Sequence, residues 1–315
     1  MIIYAMATLS LIYATPIIIT ALGGIYSERS GIVNVGLEGM MTFGAFIAAT
    51  FVPLTESFMG TLSPWVAILV AGLGGMLLGL LHAYVSIDLR GDQVISGIAI
   101  NMVSLGISVY LCQIIFKQQR TVAFKQGFVK SSVSFLRDIP VIGPMFFQNI
   151  YYTIYIAIVL VFLTYFILYK TKFGLRLRAC GEHPHAVDSV GVSVRKYRYY
   201  GVLISGFLGG LAGGVMVLTQ DTQFSVTSIH GMGFIALASV VFGKWNPFGV
   251  LFAGLFFGFS QIFAIYSKDF PFLVGVPEEF FYALPYLMTI IAITLVGRKS
   301  RGPKAAGEPY DVSKR

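Results

Sequence analysis

Eight long apolar runs, each of a length that can cross a membrane, constrain the fold of this chain more than any other feature. A helix needs about 20 residues to cross a hydrocarbon core about 30 Å thick. Backbone groups in lipid must be hydrogen-bonded within the spanning structure, which favours helices for runs of this length. The runs are Ile2–Tyr26, Ile32–Val52, Pro64–Ile87, Val94–Phe116, Ile150–Tyr169, Tyr200–Thr219, Phe248–Tyr266 and Phe280–Val296. The sequence therefore predicts an all-α, polytopic membrane helix bundle.

A ninth apolar run, Met232–Phe242, is too short to cross a bilayer. At 1.5 Å per residue its helix would reach only about 16 Å, roughly half of the hydrocarbon core. We expect this half-helix to pack against protein rather than lipid. The predicted bundle has eight to nine spans and occupies residues 1–297, followed by a basic tail over residues 298–315.

The composition also indicates a membrane protein. Of the 315 residues, 56% are hydrophobic and 11% are charged, whereas soluble domains carry about 25% charged residues. The net charge of +8 comes from basic residues between the apolar runs, where such residues orient membrane proteins, so we expect no nucleic-acid partner. The first run lacks a basic leader and a cleavage motif, and we expect it to be retained as a span. Cys112 lies in an apolar run and Cys180 in a basic loop, so no disulfide is expected.

The distribution of lysine and arginine predicts the orientation of the bundle. The loop 170–199 and the tail are both rich in basic residues, which places them in the cytoplasm. Threading the runs then places the large loop 117–149 outside, although it also carries basic residues; long loops are translocated with less regard to their charge. If every run crosses, the N-terminus is outside and the C-terminus is inside.

Glycines recur at four-residue spacing inside several runs, which lets helix backbones approach closely. The repeats are Gly75/Gly79, Gly206/Gly210/Gly214 and Gly254/Gly258. Packing within this chain is the simpler explanation, and contact with a second membrane subunit is the alternative.

Motifs for catalysis or nucleotide binding are not recognisable in the sequence. The segment Phe242–Trp245 contains a Gly-Lys pair, but Trp245 replaces the serine or threonine of a phosphate-binding loop and Ala238 replaces its upstream glycine. Neither an HExxH helix nor a Gly-x-Ser-x-Gly elbow occurs. The sequence favours a conduit over an enzyme, and we expect no cofactor.

The loop segment "RLRACGEHPHAVDSVG" concentrates polar side chains in an otherwise apolar chain. Cys180, His183 and His185 could ligate a metal, but the histidines are one residue apart and no second ligand pair occurs elsewhere, so we expect no metal site. Pro184 suits the first turn of a helix, and acidic residues near that turn suit its dipole. We therefore expect a short helix between two spans, lying parallel to the membrane and shaped for a groove on a cytoplasmic partner.

This segment resembles the cytoplasmic coupling loop of permease subunits in bacterial ABC importers, in the group that contains simple-sugar, nucleoside and branched-chain amino-acid permeases. The similar pattern is G-x-x-x-R-A-x-G-E-x-P-x-A-A-x-x-x-G, with Val187 standing where a second alanine is usual. Two further stretches carry the resemblance, "ERSGIVNVGLEGMMTFGAF" at Glu28–Phe46 and "GFIALASVVFGKWNPFG" at Gly233–Gly249. The first of these is most similar to nucleoside-type permeases.

The resemblance implies a bacterial plasma-membrane permease that carries a nucleoside, with a simple-sugar permease as the alternative. It also implies a heterodimer with a second homologous permease, two cytoplasmic ATP-binding subunits and an extracellular substrate-binding lipoprotein of the basic-membrane-protein type, all assembled in membrane lipid. The pattern positions expected to couple to the ATPase are Arg178, Gly181, Glu182, Pro184, Ala186 and Gly191, and Asp188 joins them because its charge suits the start of the short helix.

Polar residues inside the spans are candidates for the translocation path, because such groups are costly in lipid. Asn34 and Glu38 lie four residues apart on one helical face, and Asn101 lies in another span. Amide and carboxylate groups of this kind suit a neutral polar solute such as a nucleoside. Packing between helices is the alternative role for each residue. A proton-coupled carrier that uses Glu38, or an intramembrane enzyme, are the rival classes of protein.

Overall fold

Long helices form a bundle in the computed structural model, which describes residues 2–132, 140, 142–270, 275–277, 280–281, 283, 287, 290 and 302–311. The α-helices are α1 (Ile2–Arg29), α2 (Leu37–Met59), α3 (Ser63–Ala83), α4 (Gln93–Phe116), α5 (Ile142–Phe146), α6 (Tyr152–Lys170), α7 (Lys172–Glu182), α8 (Pro184–Ser189), α9 (Val194–Gln220), α10 (Met232–Phe242) and α11 (Pro247–Ile265). Within the described residues, six continuous helical segments are long and apolar enough to cross a membrane, and β-structure is limited to one isolated bridge. The predicted all-α membrane bundle is confirmed.

The longest of these six segments, Leu37–Asp88, is a pair of helices joined by a sharp turn. Gly60 has a φ of +53°, a value that favours glycine, and a short 3₁₀ turn leads from it into α3. The hydroxyls of Thr55 and Ser63 are 2.7 Å apart across the turn. Further along, Ile47 of α2 lies against Gly74 of α3, so the two helices pack side by side. Counted separately, α1, α2, α3, α4, α6, α9 and α11 are seven spans.

Helix α9 lies at the centre of the bundle, and 83% of its most apolar window is buried. Its glycines contact the backbones of α2 and α3: a Cβ on Gly210 would lie 2.9 Å from the Gly75 Cα, and Gly213 contacts the carbonyl of Met41. In α11, a Cβ on Gly258 would lie 2.7 Å from the Ala14 nitrogen of α1. The repeated glycines therefore pack within this chain, because only residues without a side chain permit such close approach.

Helices α4 and α6 lie at the edge of the bundle. Only 22% and 33% of their most apolar windows are buried within the chain. Large apolar side chains project outward from both helices, including Ile95 and Met102 of α4 and Val159 of α6. These faces are suited to lipid or to another membrane subunit.

The half-helix predicted at Met232–Phe242 is confirmed with the same bounds, as α10. A non-helical stretch, Asp221–Gly231, leads from α9 into it. Together they form a chain crossing that is helical over only half of its course. Such broken segments are stable in membrane proteins when protein surrounds them.

Most differences from the sequence prediction lie at one end of the bundle. The expected loop 170–199 contains α7, α8 and the first turns of α9, which begins at Val194 rather than Tyr200. The eighth predicted span, Phe280–Val296, lies largely outside the described residues, as do Arg298, Lys299, Arg301, Lys314 and Arg315 of the tail.

The connections gather at the two ends of the bundle. We call the end with α7 and α8 the coupling end; the described tail residues 302–311 pack there, through a hydrogen bond from the Ala305 nitrogen to the Gly181 oxygen. At the opposite end, Thr121 and Phe128 of the loop 117–149 donate backbone hydrogen bonds to Phe224 and Leu218. The two large loops thus lie at opposite ends, and which end faces the cytoplasm stays a prediction.

Candidate functional site

Asn34 lies in the non-helical connection between α1 and α2, so the prediction that it shares a helical face with Glu38 is wrong. The Asn34 side chain is fully buried, and its Oδ1 accepts the backbone N–H of Gly36 at 3.1 Å. Its Nδ2 donates to the Ser205 hydroxyl of α9 at 2.9 Å. This pairing holds the connection against the central helix and sets the point where α2 begins.

Asn101 holds the same connection from α4. Its Oδ1 accepts the N–H of Gly39 at 2.7 Å, and its Nδ2 donates to the carbonyl of Val35 at 3.1 Å. A Cβ on Gly39 would lie 2.7 Å from the Asn101 Cα, so this close approach requires glycine. Asn101 itself is only partly buried.

Glu38 joins the start of α2 to the start of the half-helix. Its Oε1 accepts the N–H of Gly231 at 2.8 Å, and its Oε2 accepts the N–H of Gly233 at 2.6 Å. The first N–H groups of a helix have no partner within the helix, and its N-terminus favours negative charge. A carboxylate from α2 thus caps α10. We call residues 34–39 together with Gly231–Gly233 the central junction; the structure brings all three predicted path residues to it.

A cavity of about 420 Å³ lies beside the central junction, toward the opposite end. Apolar side chains of α9, α10 and α11 form part of its walls. The polar side chains that line it are those of Tyr13, Gln220, Asp221, Ser228, His230 and Gln261. The Oδ2 of Asp221 is buried and has no hydrogen-bond partner among the described residues. His230 is within electrostatic reach of both Glu38 and Asp221. A polar pocket that opens beside a capped helix end suits a small molecule with several hydroxyl or amide groups.

The other end of α10 is held at the coupling end. The indole N–H of Trp245 donates to the Glu28 carboxylate, and the Arg29 guanidinium donates to the Trp245 carbonyl at 3.3 Å. Arg29 also lies 3.9 Å from Glu182 at the end of α7. The half-helix is therefore anchored by an acidic residue at each end, one from α2 and one from α1.

Two of the predicted coupling residues anchor α7 to the bundle. Arg178 donates from Nε to the Leu168 carbonyl at 3.0 Å, and its guanidinium stacks over the Tyr169 ring. Gly181 is buried against the backbone of Arg29, where a Cβ would collide with the Arg29 carbonyl.

The other predicted coupling residues form or flank α8. Pro184 is its first residue, as predicted. Helix α7 ends at Glu182, because a proline disfavours helical geometry at the residue before it, here His183. The backbone oxygen of Asp188 accepts the N–H of Gly191, which ends the turn with a φ of +77°. Glu182 is partly exposed and Ala186 is exposed.

An apolar groove of about 580 Å³ runs along the outer side of α7 and α8. Leu175 and Val190 on its walls are 62% and 74% exposed, high values for aliphatic side chains. Such a groove next to an exposed short helix suits contact with a partner protein.

The cysteine and histidines of this loop do not converge. Cys180 is buried among Val187 and Val194, and burial raises the pKa of its thiol to about 11, whereas His183 and His185 are exposed. Among the described residues no group of three or more His, Cys, Asp or Glu side chains could hold a metal ion.

Several residues of the site were not identified from the sequence. Ser205, Glu28 and Trp245 act through partners far away in the chain, which a single sequence does not reveal. The Gly-Met-Gly triplet at Gly231–Gly233 was the available signal, since two glycines at the start of a short helix indicate close backbone contact.

Comparisons with known proteins agree with the sequence resemblance. A family model described as branched-chain amino acid transport system / permease component matches residues 6–293. The guanosine ABC transporter permease protein NupQ of Bacillus subtilis (strain 168) is 46% identical over 97% of this chain and 96% of its own length. The nucleoside ABC transporter permease protein NupC of Lactococcus lactis subsp. cremoris (strain MG1363) is 42% identical over 96% of both chains. The guanosine ABC transporter permease protein NupP, also of Bacillus subtilis, is 28% identical over 84% of this chain and 74% of its own length.

Proposed function

The chain belongs to the family of branched-chain amino acid transport system permease components, and from this premise we propose that it forms the membrane path of an ATP-driven importer of nucleosides. It is an integral membrane permease subunit that works with separate ATP-binding subunits and a substrate-binding protein. The observation that carries the choice of solute is the 46% and 42% identity to the guanosine and nucleoside permeases over nearly the full length.

We propose that Asn34, Glu38 and Asn101 line or shape the translocation path at the central junction. Glu38 and Asn101 are partly exposed, so a solute can contact them directly when α10 moves. Asn34 is buried and does not contact the solute in this proposal; its hydrogen bond to Gly36 fixes the position of the segment that carries Glu38. The eight apolar runs contain no lysine or arginine. A path of this kind suits a neutral solute with both hydrogen-bond donors and acceptors, which a nucleoside provides.

The cavity beside the junction is the proposed outer station of this path. Its volume of about 420 Å³ lies within the range of about 300–1,000 Å³ that is usual for small-molecule sites. Asp221 can accept hydrogen bonds from ribose hydroxyls, and the amides of Gln220 and Gln261 can pair with base edges. The site holds few charges, as an importer requires, because its solute must be released.

We propose that α8 and the apolar groove of α7 receive the ATP-binding subunit. Closure of the ATP-binding subunits would displace Glu182 and Gly181, which lie directly against Arg29. Through Arg29 and Trp245 this displacement reaches the coupling end of α10, and through α10 it reaches Glu38. ATP hydrolysis in the partner subunits would thereby drive the movement of the translocation path.

The finer assembly is also a proposal. The exposed apolar faces of α4 and α6 are available for a second, homologous permease, as in a heterodimer. Bacillus subtilis has two permease proteins named for guanosine transport that both resemble this chain, which supports two different subunits. We place the complex in a bacterial plasma membrane, with a lipoprotein receptor outside.

Identification of the solute needs the receptor as well as the permease. The complex should be co-purified and its receptor titrated with nucleosides and with simple sugars. The proposal predicts that nucleosides bind and ribose alone does not. Tight binding of a sugar without binding of any nucleoside would favour the simple-sugar alternative.

A further inference from the structure

Residues near the end of the chain return to the coupling end and contact several of its elements. We call residues Gly302–Asp311 the strap. Backbone N–H groups two residues apart on the strap bond to different elements: Ala305 donates to the Gly181 carbonyl of α7 at 2.8 Å, and Gly307 donates to the Gly31 carbonyl of the α1–α2 connection at 3.2 Å. From the sequence this stretch was predicted to be part of a basic tail, but in the structure its backbone is hydrogen-bonded to the helix bundle.

A buried arginine of α9 depends on the strap for its partners. Arg198 is 1% exposed, and its Nη1 donates to the Glu308 carbonyl at 3.0 Å. Its guanidinium lies 5.9 Å from the centre of the Tyr310 ring. Within the described part of the chain its Nε and Nη2 have no hydrogen-bond partner. A buried guanidinium is costly without partners, so this arginine and the strap stabilise each other.

The strap also contacts α8 and the end of the half-helix region. The Tyr310 and His185 rings are 5.2 Å apart, and Tyr310 packs on the cluster that contains Val187 of α8. At its beginning, Gly302 lies against the Trp245 ring, where a Cβ would come within 3.0 Å. At its end, Asp311 forms a salt bridge of 2.8 Å with Arg90, between α3 and α4.

We propose that the strap positions α8 and makes its displacement productive, by fixing α7 and α8 to the α1–α2 connection and to Trp245. Helix α8 has six residues, too few to be stable without tertiary contacts. Without the strap, displacement of α8 by the ATP-binding subunits would move only α7 and α8. With the strap in place, the same displacement also moves the residues that hold the central junction. The proposal rests on the proposed coupling role of α8.

Removal of the strap in the full complex tests this role. A chain that ends at residue 301 is compared with one that ends at residue 311, which keeps the strap and lacks only the last four residues. We expect the shorter chain to insert and to co-purify with the ATP-binding subunits, while the amount of solute moved per ATP hydrolysed falls several-fold. An unchanged ratio would overturn the proposal. Loss of co-purification would overturn it too, because the strap would then be a binding element.

Point variants keep the test independent of truncation. Ala305→Pro removes the N–H that bonds to Gly181, with Lys304→Ala as a neighbouring control, and Tyr310→Ala removes the ring that packs on α8. We expect Ala305→Pro and Tyr310→Ala to lower the same ratio and Lys304→Ala to preserve it. Equal behaviour of all three variants would contradict the strap contacts.

A spin label on α8 separates failure of this proposal from failure of the proposed solute. The label is placed at Ala186→Cys in the full permease chain, and its mobility is compared with and without the strap. We expect the label to become more mobile when the strap is removed, whatever solute the complex carries. Nucleoside uptake is measured separately, in the complex that keeps the strap. Unchanged mobility on strap removal together with normal uptake by that complex would refute the strap alone; greater mobility together with no nucleoside uptake by that complex would refute the solute alone.

Discussion

Replacement of Glu38 by glutamine tests whether one carboxylate holds the half-helix α10 in place. Its two oxygens accept the N–H groups of Gly231 and Gly233 at 2.8 and 2.6 Å. A glutamine side chain keeps one acceptor oxygen and turns an NH₂ group toward the second donor. The variant therefore loses one hydrogen bond outright, and the remaining bond loses its charge.

The cost can be worked from these two contacts. A hydrogen bond to a charged group contributes about 1.5–3 kcal/mol, and a charge at a partly buried helix terminus contributes up to about 2 kcal/mol. Both figures describe the same carboxylate and overlap, so we expect the contact between α2 and α10 to weaken by about 2–3 kcal/mol. At about 1.4 kcal/mol per factor of ten, the open form of this contact becomes roughly 30- to 150-fold more populated.

Two measurements follow this change. Hydrogen exchange of the amides at Gly231–Gly233 should accelerate by about the same factor as the opening, roughly 30- to 150-fold. Nucleoside uptake should fall, while assembly and basal ATP hydrolysis stay close to those of the unmodified complex. Glu56→Gln is the matched control, because its carboxylate also accepts two backbone N–H groups, those of Lys125 and Gln126, but lies at the opposite end away from the junction.

The reasoning is refuted if Glu38→Gln leaves both exchange and uptake unchanged. Normal uptake by the double variant Glu38→Gln with Asn34→Ala would assign a packing role alone to the α1–α2 connection and the start of α2. Collapse of expression in the single variant would likewise assign Glu38 a purely structural role.

Four further predictions follow from the same geometry. Glu182→Lys and Pro184→Gly should each lower the amount of solute taken up per ATP hydrolysed without loss of membrane insertion, because both alter the proposed contact with the ATP-binding subunit. An unchanged amount of solute per ATP would contradict the coupling role. In intact cells an impermeant maleimide should label a cysteine placed at Ser131 and spare one placed at Ser193, and the reverse pattern would invert the orientation. The Cys180 thiol should resist maleimide at pH 7 until the protein is denatured, because it is buried and its pKa is raised to about 11; rapid labelling of the folded protein would show that α7 opens. Chelation of transition metals should leave uptake intact once Mg²⁺ for ATP is restored. A loss of uptake would support a metal site at Cys180, His183 and His185.

Local sequence signals predicted the helices well. The bounds of the half-helix followed from the length of its apolar run, and Pro184 marked the start of α8. The segment Lys172–Glu182 was interpreted as a loop because its basic residues conceal the buried positions Leu177 and Cys180, which face the bundle. Periodicity inside a charged stretch was the signal that was missed.

Contacts between distant residues could not be predicted from one sequence. Asn34 and Asn101 were identified because polar groups in apolar runs need partners, but which partners they have depends on the packing of α9 and α4. From the sequence, Trp245 had no individual role beyond its mismatch to a phosphate-binding loop, and its bond to Glu28 appears only in the fold. Arg198 belongs to a basic loop in the sequence and is fully buried in the structure.

The most direct test of the account is ATP-dependent uptake by the reconstituted complex. Labelled guanosine is offered to proteoliposomes that contain this permease, the proposed second permease, the ATP-binding subunits and the receptor. Vanadate, or this permease carrying Glu38→Gln, is tested in parallel. The account predicts uptake that requires ATP, stops with vanadate, is competed by other nucleosides but not by ribose, and falls with Glu38→Gln. Uptake driven by a proton gradient without the ATP-binding subunits would contradict it.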